Sequence, residues 1–211
     1  MNPIKSCRST TIALPSYLRQ LSTVASQLHL LGWAPKNAGN FSIRMNDLLL
    51  TKISGAPMRR IAQNPLPYLC FVTLPTTGFH FCTIPPSAVP TSEILTHLAT
   101  QRILFQHRPQ EQVLLHTHPT ELVKFSCLYT NPISINSKIR RKINDLNATA
   151  IRRLPSGSKE LAVETALSFR IAQIVIWPGH GVIASGKSIY EAFVKIKKIN
   201  SIFRKALINA K

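Results

Sequence analysis

The chain has 211 residues, 45% of them hydrophobic, which suits a single domain over 1–211 with a sizeable core and argues against a disordered chain. No run approaches the roughly 18 apolar residues of a membrane span. Its 26 lysines and arginines against 8 acids give a formal charge of +18, a statement about solubility and steering rather than about fold.

From Ser16 to Leu31, Leu18, Leu21, Val24, Leu28 and Leu31 recur three or four residues apart and predict an amphipathic helix that Gly32 ends. Phe41, Ile43 and Met45 alternate with polar residues, Asn46-Asp47 turns the chain, and Leu48–Thr51 returns as a second strand. Tyr68–Leu74 and Gly78–Ile84 predict another hairpin around Pro75-Thr76-Thr77. Thr91 begins a helix with Ile94, Leu95, Leu98 and Ala99 on one side. Pro109 breaks the chain before the strand Gln112–His118, and Pro119 opens a short helix through Leu128.

Residues 131–147 are polar and basic without a clean period, and no element is predicted there. Ala148–Leu154 reads as a strand and Pro155-Ser156-Gly157 as a turn; Ser158 then caps a helix that buries Ala162, Ala166 and Phe169. Ile174–Trp177 and Val182–Ala184 are short strands flanking Pro178-Gly179-His180-Gly181. Ser188-Ile189-Tyr190-Glu191 fits a capping box, and Ile189, Phe193, Ile196, Ile199, Phe203 and Leu207 give its helix an apolar stripe. Interleaved in this way, the elements predict a sheet covered by helices on both faces.

Basic residues concentrate from Lys138 through Arg140, Arg141 and Lys142 to Arg152 and Arg153, and again at Lys195, Lys197, Lys198, Arg204 and Lys205, apart from every candidate ligand. Nucleic acid would gain from such charge by counterion release, and so would a small anionic substrate. The reading adopted is a solvated basic face, with neither nucleic acid nor membrane as partner. Cys7, Cys70, Cys82 and Cys127 are scattered and read as buried or inert thiols, although Cys70 and Cys82 could face each other across the hairpin. That usage, and an N-terminus without an apolar core or cleavage site, predict a cytoplasmic protein.

The chemistry concentrates in a few residues. Side chains alternate along a strand, so His116 and His118 in His116-Thr117-His118 point to one face, as ligands of a zinc-like ion must. A satisfied buried histidine pair would look the same. His180, between two glycines, can swing its ring toward a site, or face water as a turn residue. Glu93 can serve a metal as ligand or general base, or simply favour the start of a helix. Thr91 and Ser92 beside it, and the loops Asn37-Ala38-Gly39-Asn40 and Ser54-Gly55, offer donors to an anion.

In order, the chain shows GW-x3-NAGNFSIR (32–44), L-x-T-x2-SG (49–55), PTSE (90–93), LLHTHPTELV (114–123) and WPGHGVIASGKSIYEAF (177–193). This resembles the class II aldolase/adducin-head family along nearly its whole length. Within it, PTSE, LPSGSKELA (154–162) and WP-x-HGV-x2-SG are most like the rhamnulose-1-phosphate aldolases. The resemblance implies a three-layer α/β/α fold with a mostly antiparallel central sheet, and a homotetramer. It implies zinc on His116, His118 and His180, with Glu93 as the base that removes a proton from dihydroxyacetone phosphate. Asn37, Gly39, Asn40, Ser54, Thr91 and Ser92 would bind the phosphate.

The activity so implied is reversible cleavage of a ketose 1-phosphate to dihydroxyacetone phosphate and an aldehyde. Sugar-phosphate 4-epimerases and methylthioribulose-phosphate dehydratases share the scaffold, and the adducin head is a non-catalytic binding module on it. Two departures stand out. Ala38 replaces a usual glycine, and the region 131–153 is short and basic where the aldolases carry a further acid.

Overall fold

The computed structural model describes residues 7–128 and 137–208. Hairpins build the first half of its sheet. Strand β1 (Asn40–Met45) turns at Asn46-Asp47 into β2 (Leu48–Lys52), which pairs with β3 (Leu69–Thr73), and β3 with the short β4 (Thr83–Ile84). On the other side of β1 lies β5 (Val113–Thr117), followed across the sheet by β8 (Gly181–Gly186), β7 (Ile174–Trp177) and β6 (Ala148–Ala150). The order is β4-β3-β2-β1-β5-β8-β7-β6, and every pair is antiparallel except β6 with β7.

Helices cover both faces, giving the three-layer α/β/α arrangement. On one face α1 (Cys7–Leu30), α2 (Met58–Gln63), α4 (Thr120–Leu128), α5 (Ser137–Asp145) and α7 (Ile189–Ile208) pack onto Phe41, Ile43, Val113 and Leu115. On the other, α3 (Ile94–His107) and α6 (Lys159–Ser168) cover Leu114, Val175, Trp177 and Ile183 through Leu104, Leu161 and Phe169. Val113 and Leu115 thus face one layer while Leu114, and with it His116, face the other. Burying three such aliphatic side chains contributes about 1.5–3 kcal/mol each. That outweighs the cost, about 1–3 kcal/mol, of burying one neutral polar ring beside them.

Several elements differ from what the sequence predicts. The helix predicted from Ser16 begins at Cys7. The second strand of the β3 hairpin shrinks from 78–84 to Thr83–Ile84. The strand predicted over 148–154 keeps only Ala148–Ala150; beyond it Ile151 still donates to the Ile176 carbonyl, and Arg152 and Arg153 then leave the sheet exposed. Of the unassigned stretch 131–147, residues 137–145 form α5, whose only apolar pair, Ile139 and Ile143, is too narrow a stripe to betray a helix; residues before 137 lie outside the described ones. Glu93 precedes α3 at its N-cap position, one step before the first turn. Cys70, Cys82 and Cys127 are all free, and only Cys70 is buried. Among the described residues no helix is long and apolar enough to cross a membrane.

Candidate active site

The shared end of β5 and β8 carries three histidines. His116 is fully enclosed on β5, His118 follows just past the strand, and His180 sits in the turn that leads into β8, closed by its own N–H on the Trp177 carbonyl at 3.0 Å. One ring nitrogen from each lies within 4.8 Å of the other two. His116 Nε2 and His118 Nε2 are 2.8 Å apart.

Their protonation follows from their partners. His116 Nδ1 stands 3.0 Å from the Val182 carbonyl, which can only accept, so that nitrogen carries the hydrogen. Burial pushes the His116 pKa well below its ordinary value, and His118 and His180 push the same way. A neutral ring with its hydrogen on Nδ1 presents a lone pair at Nε2. Burial also takes His118 down to about 4, with His180 adding to the effect and Glu93 opposing it, and lowers His180 against Glu93.

Glu93 Oε2 lies 3.4 Å from His116 Nε2 and Oε1 lies 3.3 Å from His180 Nε2. With neutral imidazoles these are not ion pairs; several electron-rich atoms face one small volume. A divalent cation satisfies such a set. Tetrahedral zinc with nitrogens at about 2.0–2.1 Å places them about 3.3 Å apart, so small side-chain rotations suffice and the residues fit a zinc-like ion.

Gly181 makes this approach possible. A Cβ there would stand 2.5 Å from the Thr117 carbonyl oxygen, 2.8 Å from His118 Cδ2 and 2.9 Å from His116 Cε1. Gly181→Ala should therefore wedge β8 from β5 at the cost of about 1–3 kcal/mol. Thermal unfolding should show a melting temperature several degrees lower, and bound metal should fall with it.

Glu93 is held from two sides. Although it occupies the N-cap position of α3, its carboxylate caps nothing. Oε2 accepts from Asn40 Nδ2 at 3.0 Å and Oε1 from Ser156 Oγ at 2.8 Å. Behind Asn40 runs a buried chain whose direction is fixed. Asn40 spends its amide N–H on Glu93, so its Oδ1 accepts from His97 Nε2 at 2.6 Å. Burial lowers His97 to about 4, so its ring is neutral and Nδ1 accepts from Ser42 Oγ at 2.9 Å. Ser42 in turn accepts from Gln101 Nε2 at 3.1 Å. The polar residues that alternate with Phe41, Ile43 and Met45 on β1 are thus buried, and Asn40 and Ser42 among them join this chain beneath α3.

A cavity of 150 Å³ opens beside these groups. The loop entering β1 gives it Asn37, Gly39 and Asn40, the turn after β2 gives Ser54, and the approach to α3 gives Thr91 and Ser92. Glu93, His116, His118 and His180 complete its wall, so all ten residues singled out in the sequence line one space. Two more line it that the sequence reading passed over, Lys52 and Ser156. The Lys52 ammonium is buried, donating to the Asn37 carbonyl at 2.6 Å and the Ala56 carbonyl at 2.7 Å; burial lowers its pKa to about 8 although Glu93 opposes the shift. Its signal was a lysine closing the apolar strand Leu48-Leu49-Leu50-Thr51.

An outer hollow of 700 Å³ shares His118, Ser156 and His180 with this cavity and is further lined by Arg153 and the two turns at Pro155 and Pro178. Arg153 is therefore not remote from the candidate ligands, contrary to the sequence reading of the basic runs. The others on α5 and α7 do lie in the opposite helical layer.

Residues 19–207 match the family described as class II aldolase and adducin N-terminal domain. Rhamnulose-1-phosphate aldolase of Listeria welshimeri is 20% identical over 221 aligned positions, covering 87% of this chain and 80% of that one. The crystal structure of a sugar-phosphate aldolase from Thermotoga maritima superposes with a TM-score of 0.76 at 21% identity, over 92% of this chain and 94% of that one. For l-fuculose-1-phosphate aldolase from Thermus thermophilus the TM-score is 0.68 at 20% identity, over 92% and 95%. At such identities the two structures establish a shared fold.

Proposed function

The chain belongs to the class II aldolase and adducin N-terminal domain family, and on that premise we propose that it cleaves a ketose 1-phosphate, of the rhamnulose 1-phosphate type, to dihydroxyacetone phosphate and an aldehyde. The observation that carries this reading is the meeting of three neutral imidazoles and a doubly hydrogen-bonded carboxylate at the wall of a lysine-backed cavity. Its likeness to rhamnulose-1-phosphate aldolases over most of its length supports the substrate type.

In this reading His116, His118 and His180 hold a divalent ion, zinc by its donor set. Once bound, such an ion supplies Lewis acidity, drawing charge from the substrate's carbonyl and hydroxyl oxygens. Glu93 carries the proton: in cleavage the hydroxyl that becomes the aldehyde gives one up, Glu93 is protonated in exchange and delivers one to the freed carbon, and in the condensing direction both moves reverse. Asn40 and Ser156 keep both carboxylate oxygens on target, so little reorientation is needed at that step. Lys52, with the hydroxyls of Ser54, Thr91 and Ser92 and the loop at Asn37 and Gly39, receives the phosphate. The direct test is cleavage assayed across a panel of ketose 1-phosphates with coupled detection of dihydroxyacetone phosphate. No cleavage of any of them by metal-loaded protein would remove the proposal.

Lys52 gives a pH signature. With its pKa lowered to about 8, it is charged below that pH and neutral above it. Inorganic phosphate, as a competitive inhibitor, should bind more weakly as pH rises from 8 to 9, by up to about tenfold per unit for one coupled proton. Lys52→Met should raise the inhibition constant about tenfold or more at pH 7, the order expected for a charged hydrogen bond, and flatten that dependence.

A further inference from the structure

The outer hollow shares three wall residues with the inner cavity, so a molecule too long for 150 Å³ continues into it. What it meets there is Arg153. The guanidinium lies against the turn that carries His180, its carbon 3.6 Å from where a Cβ on Gly179 would stand, an ordinary contact distance. Among the described residues no carboxylate pairs with Arg153. Its neighbour Arg152 takes Glu164 at 2.5 Å, and Arg108 lies 3.7 Å from Glu111. Among the described residues, the lining of the outer hollow contains no aspartate or glutamate.

Arg153 is exposed and solvated by water in the free protein, but a neutral aldehyde end seated against it would displace that water and offer its fork no charge in return. We propose that the outer hollow is an anion subsite, and that the preferred ketose 1-phosphate, unlike rhamnulose 1-phosphate itself, carries a second negatively charged group, remote from the phosphate held by Lys52, which Arg153 takes through its paired N–H donors. A guanidinium fork accepts carboxylate or phosphate equally well by geometry. This rests on the inner cavity's taking the phosphate in the proposed function, but not on the bond-breaking step.

Three six-carbon ligands differing only at the far end test it: sorbitol 6-phosphate, 6-phosphogluconate and sorbitol 1,6-bisphosphate. Binding to the zinc-loaded full chain is measured by calorimetry near 0.1 M salt. At least one of the doubly anionic ligands should bind tenfold or more tightly than sorbitol 6-phosphate, and which one does so identifies the second group. Arg153→Gln should shrink that margin to threefold or less, and Arg153→Lys, which keeps the charge but not the fork, should keep part of it. Lys198→Gln, on α7 in the opposite layer, should keep the whole margin, separating a local contact from long-range steering. Equal binding of all three by the wild type, no binding of any, or a margin that survives Arg153→Gln overturns the subsite. A margin without aldol cleavage of any ketose phosphate leaves the subsite standing and removes the reaction; cleavage without a margin does the reverse.

Discussion

Replacing Glu93 by glutamine should slow cleavage of a ketose 1-phosphate by about 10² or more, a typical general-base contribution, while bound metal stays near one ion per chain. The substitution keeps the shape but cannot carry a proton. It also disturbs the hydrogen bonds: Asn40 Nδ2 and Ser156 Oγ each donate to one carboxylate oxygen, and a glutamine must turn its own N–H₂ toward one of them. The Ser156 hydroxyl can turn to accept from that amide while Asn40 keeps donating to the glutamine oxygen, so thermal unfolding should change little. The loss should fall on kcat rather than KM, because Lys52 and the hydroxyl loops remain to bind the phosphate. Wild-type turnover in Glu93→Gln would reassign the proton carrier.

The second large effect concerns the histidines. His116→Ala and His180→Ala should each retain less than about a tenth of the bound metal after dialysis, measured by elemental analysis, and show no cleavage above background, because two imidazoles hold zinc poorly. His180, half-buried in a turn, should lose the ion with little loss of stability, whereas His116 leaves a hole in the sheet. Acidification works in the same direction. His118, like His97, is neutral in the fold down to about pH 4, whereas an unfolded histidine protonates near 6.5. The unfolded chain therefore binds more protons between those values. Stability these groups contribute is fully present above about pH 6.5 and drains away as pH falls toward 4. Full metal occupancy in both alanine variants would remove the metal centre from the account.

Much of this was legible in the sequence because it is local. A strand that alternates puts His116 and His118 on one side; Ser158 caps α6 by accepting from the Leu161 N–H at 3.1 Å, as its position announces. The hairpin turn at Asn46-Asp47 and the turn around His180 are likewise written in adjacent residues. What escaped is what depends on packing across the layers. Ser42 and Arg44 look like a solvent face of β1 until α3 is laid over them. Lys52 looks like the polar end of a strand until the loops at Asn37 and Ala56 close on its ammonium. Ser156 reads only as a turn residue, because nothing near it in sequence says that Glu93 is its partner. The shortness of β4 and β6 is a matter of where neighbouring strands stop, which no residue in either segment records.

The strand order has a further consequence, for synthesis. β1 through β4 emerge as consecutive hairpins, and β5 can join β1 as soon as it is made, but its other edge belongs to β8. Until β8 has been added, the backbone N–H and C=O groups of Val113–Thr117 that face away from β1 stand open beside side chains that end up wholly enclosed. An unpaired apolar edge of this kind invites pairing between nascent chains. The intervening stretch includes α5 and its four cations, Lys138, Arg140, Arg141 and Lys142, which repel a second copy of the same unfinished chain during that wait.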